Sequence, residues 1–260
     1  MNIQKVVEKF NSETMKLDNI KSEFCVSPEK DFTRDRKISF ASLIRSILSF
    51  GGGTLTSELL KINKFTPDLP TSSAFVQQRD KVSPRAFSTL FSMINKEFDQ
   101  DLRYHGYRPM AVDGSHIHVP TNPKDQDSFV NWRENERPHN EFHLNAMYDI
   151  LQKNYTDAIV QKYRTQNEDK ALIEMIERSP VSDALVICDR GYESYNNMAH
   201  LQTSGWKYII RVKEPGGRGI ADGLQLPECE EFVFPVDLSI TRRKNKETIE
   251  QLKNSNQCRY

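Results

Sequence analysis

Two carboxylates in this chain stand where a carboxylate can do chemistry. Asp113 lies in "MAVDGSHIHVP" and Asp189 in "VICDRGYESYN". Each follows an apolar stretch, and a glycine comes close behind, Gly114 or Gly191. If the strands that carry them lie side by side, the two side chains meet. Carboxylates held close together repel each other unless a divalent cation binds both. Magnesium takes oxygen ligands and commonly keeps one or two carboxylates plus phosphate oxygens. Two such ions about 4 Å apart can activate a water or hydroxyl and stabilise the leaving oxygen of an in-line displacement. An Asp at a strand end is also a common cap or turn former, and the residues alone leave both roles open. Histidines make a second group. His116 and His118 share one face of a strand, and His139 and His143 are spaced four apart. Zinc is held by such sets, but with no third ligand evident these histidines read as polar strand and loop residues near a charged site.

The elements that must position the two acids can be read from hydropathy. From Met110 the pattern has a period of two: Asp113, Ser115, Ile117 and Val119 share a face, and Pro120 bounds the strand. After a polar loop, "FHLNAMYDI" and "NYTDAIVQKY" read as strands joined through a hairpin at "LQKN". "NEDKALIEMIERS" is an amphipathic helix with Asn167 as N-cap and two acids in its first turn. "DALVICD" is a short apolar strand of the kind buried on both faces. "SYNNMAHLQTSG" reads as a helix ending at Gly205, and "WKYIIRVK" as a strand. The order is β-β-β-α-β-α-β, an α/β fold in which three strands form an antiparallel meander and later helices act as crossovers.

Ahead of this lies a helical region. "KISFASLIRSILSFGGG" spaces its apolar residues as a helix that ends at Gly51–Gly53. "LTSELLKINKF" and "SSAFVQQRDKVSPRAFSTLFSMINKEFDQDL" continue the helical reading, the latter with a helix start at Ser83 and Pro84. Residues 1–30 suggest a short helix and an irregular segment.

With 260 residues, 28% charged and 37% hydrophobic, the chain reads as soluble and globular. No apolar run approaches the roughly 18 residues that span a bilayer, and the N-terminus lacks a secretory signal's apolar region. Cys25, Cys188, Cys229 and Cys258 form no CxxC pair, which suggests a reducing cytoplasm. The net charge of zero conceals a pattern. Residues 1–110 hold 17 Lys+Arg against 13 Asp+Glu, residues 111–240 hold 13 against 21, and residues 241–260 hold 6 against 2. Basic flanks around an acidic centre suit a protein that grips a polyanion and binds cations, although ordinary charge scatter reads the same way.

"AVDGSHIHVP", "FHLNAMYDI", "VICDRGYESYN" and "WKYIIRVK" together resemble the catalytic core of DDE-type insertion-sequence transposases, which has an RNase H-like fold. The helical stretch from "FASLIRSILSFGGG" to "SPRAFSTLF" is similar to the N-terminal region of the same family. This resemblance implies an RNase H-like mixed sheet over residues 105–260, incomplete at its C-terminal end, after a helical DNA-binding region over 1–104. It makes Asp113 and Asp189 the first two members of a metal-binding acidic triad that takes Mg²⁺ (or Mn²⁺), with Arg190, Gly191 and Tyr192 as the turn presenting Asp189. The implied reaction is phosphoryl transfer: water cleaves the element's end, and the freed 3′-hydroxyl attacks target DNA. The partner is double-stranded DNA, contacted through Arg34, Arg36, Lys37, Arg79, Lys81, Arg85, Arg242 and Arg243; without the resemblance these would read as solvated positions. A cytoplasmic protein, nucleoid-associated when bound to DNA and able to form a homo-oligomer, fits this picture.

The sequence departs from the family at the third acid, a Glu in a Tyr-x-x-Arg-x-x-x-Glu string that does not occur here. Glu247 and Glu250 in "KETIEQLK" lack matching surroundings. The expectation is a truncated transposase of impaired activity. A non-catalytic DNA-binding remnant or regulator is the alternative, and an unrelated metal-dependent phosphoesterase the third class.

Overall fold

Ser39, Thr54 and Thr71 each turn a hydroxyl onto the amide three residues ahead, and each starts a helix. The structure, a computed structural model, describes residues 3–67, 69–131 and 137–214, and beyond them 216, 219–222, 224–227, 229, 231–233, 235 and 236. The chain divides into two compact units, 1–99 and 100–260.

The first unit is helical: α1 (Ile3–Asn19), α2 (Phe40–Ser49), α3 (Leu55–Ile62), α4 (Ser72–Arg79) and α5 (Arg85–Phe98). Helix α1 is longer than the sequence suggests. Pro84 already has helical dihedrals ahead of α5, and Ser83 Oγ accepts from the Arg85 amide at 3.3 Å. Leu17, Phe24, Phe40, Ile44, Ala86 and Leu90 form one core, and Ile38, Leu43, Leu59 and Phe75 a second. Burying each large apolar side chain is worth about 1.5–3 kcal/mol. The glycines after α2 are held by Glu58 of α3, whose carboxylate accepts from the Gly51 and Gly53 amides at 3.1 and 2.9 Å.

The second unit contains β1 (Arg108–Val119), β2 (Phe129–Val130), β3 (His139–Asp149), β4 (Asn154–Lys162), α6 (Glu168–Arg178), β5 (Ala184–Cys188), α7 (Tyr195–Thr203) and β6 (Lys207–Ile210). Apart from the two-residue β2, this is the order read from the sequence. The fold is mixed α/β. Its sheet runs β4-β3-β1-β5-β6, with β2 pairing the first residues of β3. The β1–β3 and β3–β4 pairs are antiparallel, and the β1–β5 and β5–β6 pairs are parallel.

One face of the sheet carries the core. Met110, Val112, Met147, Val186 and Cys188 pack there against Leu172, Met175 and Ile176 of α6 and Leu201 of α7. Alternation then places Ala111, Asp113, Ser115 and Ile117 of β1 on the opposite face, with Phe142, Leu144, Ala146 and Tyr148 of β3. Ile187 of β5 and Ile209 of β6 lie on that face too and are exposed. Among the described residues, no helix is long and apolar enough to cross a membrane.

Candidate functional site

The parallel register of β1 and β5 pairs Ala111 with Ile187 and Val112 with Cys188. Asp113 and Asp189 are the next residues on these neighbouring strands. Asp189 keeps an extended backbone (φ −77°, ψ 171°), so side-chain alternation continues through it and places it on the same face as Ile187 and Asp113. Both carboxylates are exposed, on the face away from the core. Adjacent strands lie about 4.8 Å apart, so the fold brings the two acids to one level of the sheet.

Neither acid is used up as a structural group. Asp189 precedes a 3-10 turn formed by Arg190, Gly191 and Tyr192, yet its side chain makes no capping bond to that turn. It stands instead 3.5 Å from the Arg211 guanidinium, with both side chains well exposed. Asp113 Oδ1 accepts from the Gly114 amide at 2.9 Å. The turn is anchored from below: Tyr192 is buried, and burial pushes its phenol pKa up. Burial also pushes the Cys188 thiol up to about 12, which keeps it protonated and inert beside Asp189.

Arg211 was not singled out from the sequence. Its signal is positional: it follows β6 as Asp189 follows β5, and the register pairs Cys188 with Ile210.

The other face of β1 becomes polar beyond Val112. Gly114, His116 and His118 pair with Asn145, His143 and Glu141 of β3. Glu141 is fully buried. His116 Nδ1 stands 2.7 Å from its Oε1, and His118 Nε2 and His139 Nε2 each stand 3.2 Å from its Oε2. His143 Nδ1 faces the Asn145 amide nitrogen at 3.1 Å, so it accepts there, and Nε2 donates to Glu168 at 3.1 Å. Burial lowers the His143 pKa although Glu168 opposes the shift, which favours the neutral ring. His116, His143, Gly191 and the first turn of α6 line a cleft on this face. Glu141 and Glu168 were both passed over in the sequence, where nothing local marks a glutamate as a neighbour of histidines on another element.

A family model described as a transposase DDE domain matches residues 104–257. The chain belongs to the DDE transposases. Among curated proteins, none matches it.

A divalent cation is implied for a DDE transposase, and the donor set of Asp113 and Asp189 fits one: two exposed carboxylates, oxygen ligands only, on neighbouring strands. Arg211 is the group a cation would compete with for Asp189. Among the described residues, no third acid groups with these two. Glu247, Glu250, Arg242 and Arg243 lie outside the described residues.

The other basic positions nominated for DNA lie on the first unit of the transposase. Arg34, Arg36 and Lys81 line one concavity, and Arg36 and Lys37 line a second beside Ile38 and Gln78. Arg79 is paired with its neighbour Asp80 at 2.9 Å, which reduces its net attraction for phosphate. Arg85 is exposed at the start of α5.

Proposed function

We propose that this transposase cuts double-stranded DNA at the ends of an insertion sequence and joins the freed 3′ ends to target DNA, using Asp113 and Asp189 on an RNase H-like core. The observation that carries the proposal is the placement of the two acids one step beyond the Val112–Cys188 pair, on the two strands at the centre of the sheet. The strand order β4-β3-β1-β5-β6, antiparallel on one side and parallel on the other, supports the RNase H-like reading.

Asp113 and Asp189 would hold Mg²⁺ or Mn²⁺, which supplies charge neutralisation at phosphate and a more acidic bound water. The chain's own residues supply rigidity and placement. β5 is anchored by Val186 and Cys188 in the core, so Asp189 is presented by a fixed backbone. The 3-10 turn then carries the chain away from the sheet and leaves the carboxylate exposed. Arg211, beside Asp189, is placed to meet a phosphate oxygen. The helical region over 1–104 would bind terminal DNA through Arg34, Arg36, Lys37, Lys81 and Arg85, with Arg79 a weaker contributor. Charge of this kind gives salt-sensitive binding with little sequence readout. Bound in this way, the protein would be cytoplasmic and associated with the nucleoid.

The second reading is a DNA-binding regulator that occupies element ends without cutting. It is favoured by the described residues bringing together two carboxylates and no third. The deciding experiment is nicking of duplex DNA that carries candidate element ends, in Mg²⁺ or Mn²⁺, with Asp113→Asn and Asp189→Asn alongside. Nicking that falls at least 100-fold in both variants, with DNA binding retained, supports the enzyme. Nicking unchanged in the variants removes these residues from the chemistry. Binding with no nicking by the parent chain establishes the regulator.

A further inference from the structure

We infer a second metal site on the opposite face of β1, built from His118, His139 and Glu141 and suited to a borderline ion of the zinc class. Its ligand atoms all lie within 4.8 Å of one another. The ladder itself creates the site: His118 pairs directly with Glu141 across β1 and β3, and His139 lies two residues before Glu141 on the same face.

Three features fit a bound metal. The first is spacing. Ligands on a tetrahedral ion with bonds of about 2.0–2.1 Å stand about 3.3 Å apart, and His118 Nε2 and His139 Nε2 each lie 3.2 Å from Glu141 Oε2. The second is tautomer. His139 Nδ1 is 3.0 Å from the Arg137 carbonyl, an acceptor, so Nδ1 carries the proton, and in the neutral form of the ring the Nε2 lone pair faces Glu141. A cation between that lone pair and the carboxylate satisfies both. A carbonyl on the far nitrogen is also the usual second partner of a metal-bound histidine. The third is layering. His116 Nδ1 holds the other oxygen of Glu141 at 2.7 Å, which orients the carboxylate from outside the trio. His118 is mostly exposed, which gives an ion a route in and leaves a coordination position for water.

Two imidazoles and one carboxylate select a borderline transition ion over Mg²⁺, whereas Asp113 and Asp189 offer oxygen alone. The sites are also apart. His118 is five residues along β1 from Asp113, roughly 17 Å at strand rise, and faces the other side. An ion here would clamp the end of β1 to the start of β3, on either side of the loop that joins them, without taking part at the acidic pair.

The test is binding of Zn²⁺ and Co²⁺ to the metal-stripped full chain in excess Mg²⁺, by calorimetry and by the visible bands of four-coordinate Co²⁺. One equivalent should bind, and Tm should rise on binding. His118→Ala is the decisive variant, because its exposed side chain can be removed without opening the core; it should weaken Zn²⁺ binding at least tenfold and reduce the Tm shift at a given Zn²⁺ concentration. Glu141→Gln should do the same, and Asp189→Asn should leave binding intact. No binding by the parent chain, or binding unaffected by His118→Ala, overturns the site. Loss of Zn²⁺ binding in Asp189→Asn, or its displacement by Mg²⁺, assigns the ion to the acidic pair and equally overturns it.

Discussion

At Asp149 a single carboxylate collects four donors. Its Oδ1 accepts from the Leu151 and Gln152 amides at 3.0 and 2.8 Å, and its Oδ2 from Arg108 Nε at 2.6 Å and Gln152 Nε2 at 3.1 Å. The carboxylate is fully buried and the guanidinium nearly so. The group ties the start of β1 to the turn that ends β3. Asp113, on the same sheet, is exposed and bonds only its neighbour's amide among the contacts seen. The two acids therefore separate by experiment. Asp149→Ala should cost about 3–5 kcal/mol, because it strips a buried guanidinium of its carboxylate. Asp113→Ala should stay within about 0.5 kcal/mol. Urea midpoints measure both, and equal midpoints would refute the distinction. The pH dependence has a definite sign. Burial opposes ionisation of Asp149, but the Gln152 amide, the Arg108 guanidinium and the Gln152 side chain outweigh it, so its pKa is lowered. That stability is present above the unfolded value of about 3.9 and is lost as pH falls through the lower folded value. Asp149→Asn should flatten this acid limb.

Helix α6 begins beside the histidine face of β1, where Glu168 of its first turn meets His143. Asn167 Oδ1 accepts from the Lys170 amide at 2.8 Å, and the Asn167 amide donates to Gln161 Oε1 at 2.8 Å, so the helix start is fixed to β4. Asn167→Ala should destabilise the chain by about 1 kcal/mol, read from the denaturation midpoint, and a change below about 0.3 kcal/mol would show that the Gln161 contact alone sets the start. This cap was legible because an N-cap is local: Asn, then two acids, then an apolar period. So were β1, β3, β4, β5 and β6, whose alternation or apolar run lies within a few residues. The two residues of β2 carry no such pattern inside a polar loop. The histidine cluster was half legible. Period two puts His116 and His118 on one face, but which residues stand opposite depends on register with a strand some twenty residues away, and register is a property of the pairing. Glu141 became a neighbour of His118 only through that pairing. The pairing of Asp113 with Asp189 rested on the family resemblance, because their level on neighbouring strands is again a matter of register.

Across the whole molecule the charge is zero, yet residues 33–90 hold 9 Lys+Arg against 4 Asp+Glu. Ion pairing does not treat these cations alike. Lys61 is paired with Glu58 at 3.3 Å and Arg79 with Asp80 at 2.9 Å, while Arg34 and Arg36 are exposed along one concavity. A polyanion gains most from cations whose field is not already cancelled by a carboxylate, so Arg34 and Arg36 should carry more of the DNA affinity than Arg79. Each phosphate contact on duplex DNA contributes about 0.9 to the slope of log K against log salt. The Arg34→Ala, Arg36→Ala double variant should therefore lower that slope by about 2 and weaken binding by a similar factor on every duplex tested. Arg79→Ala should change the slope by well under 1. Fluorescence anisotropy over a salt series, with one duplex carrying element ends and one without, measures both quantities. An unchanged slope in the double variant would remove this surface from the DNA contact. A loss confined to the element-end duplex would show that these arginines read bases and do more than hold phosphate.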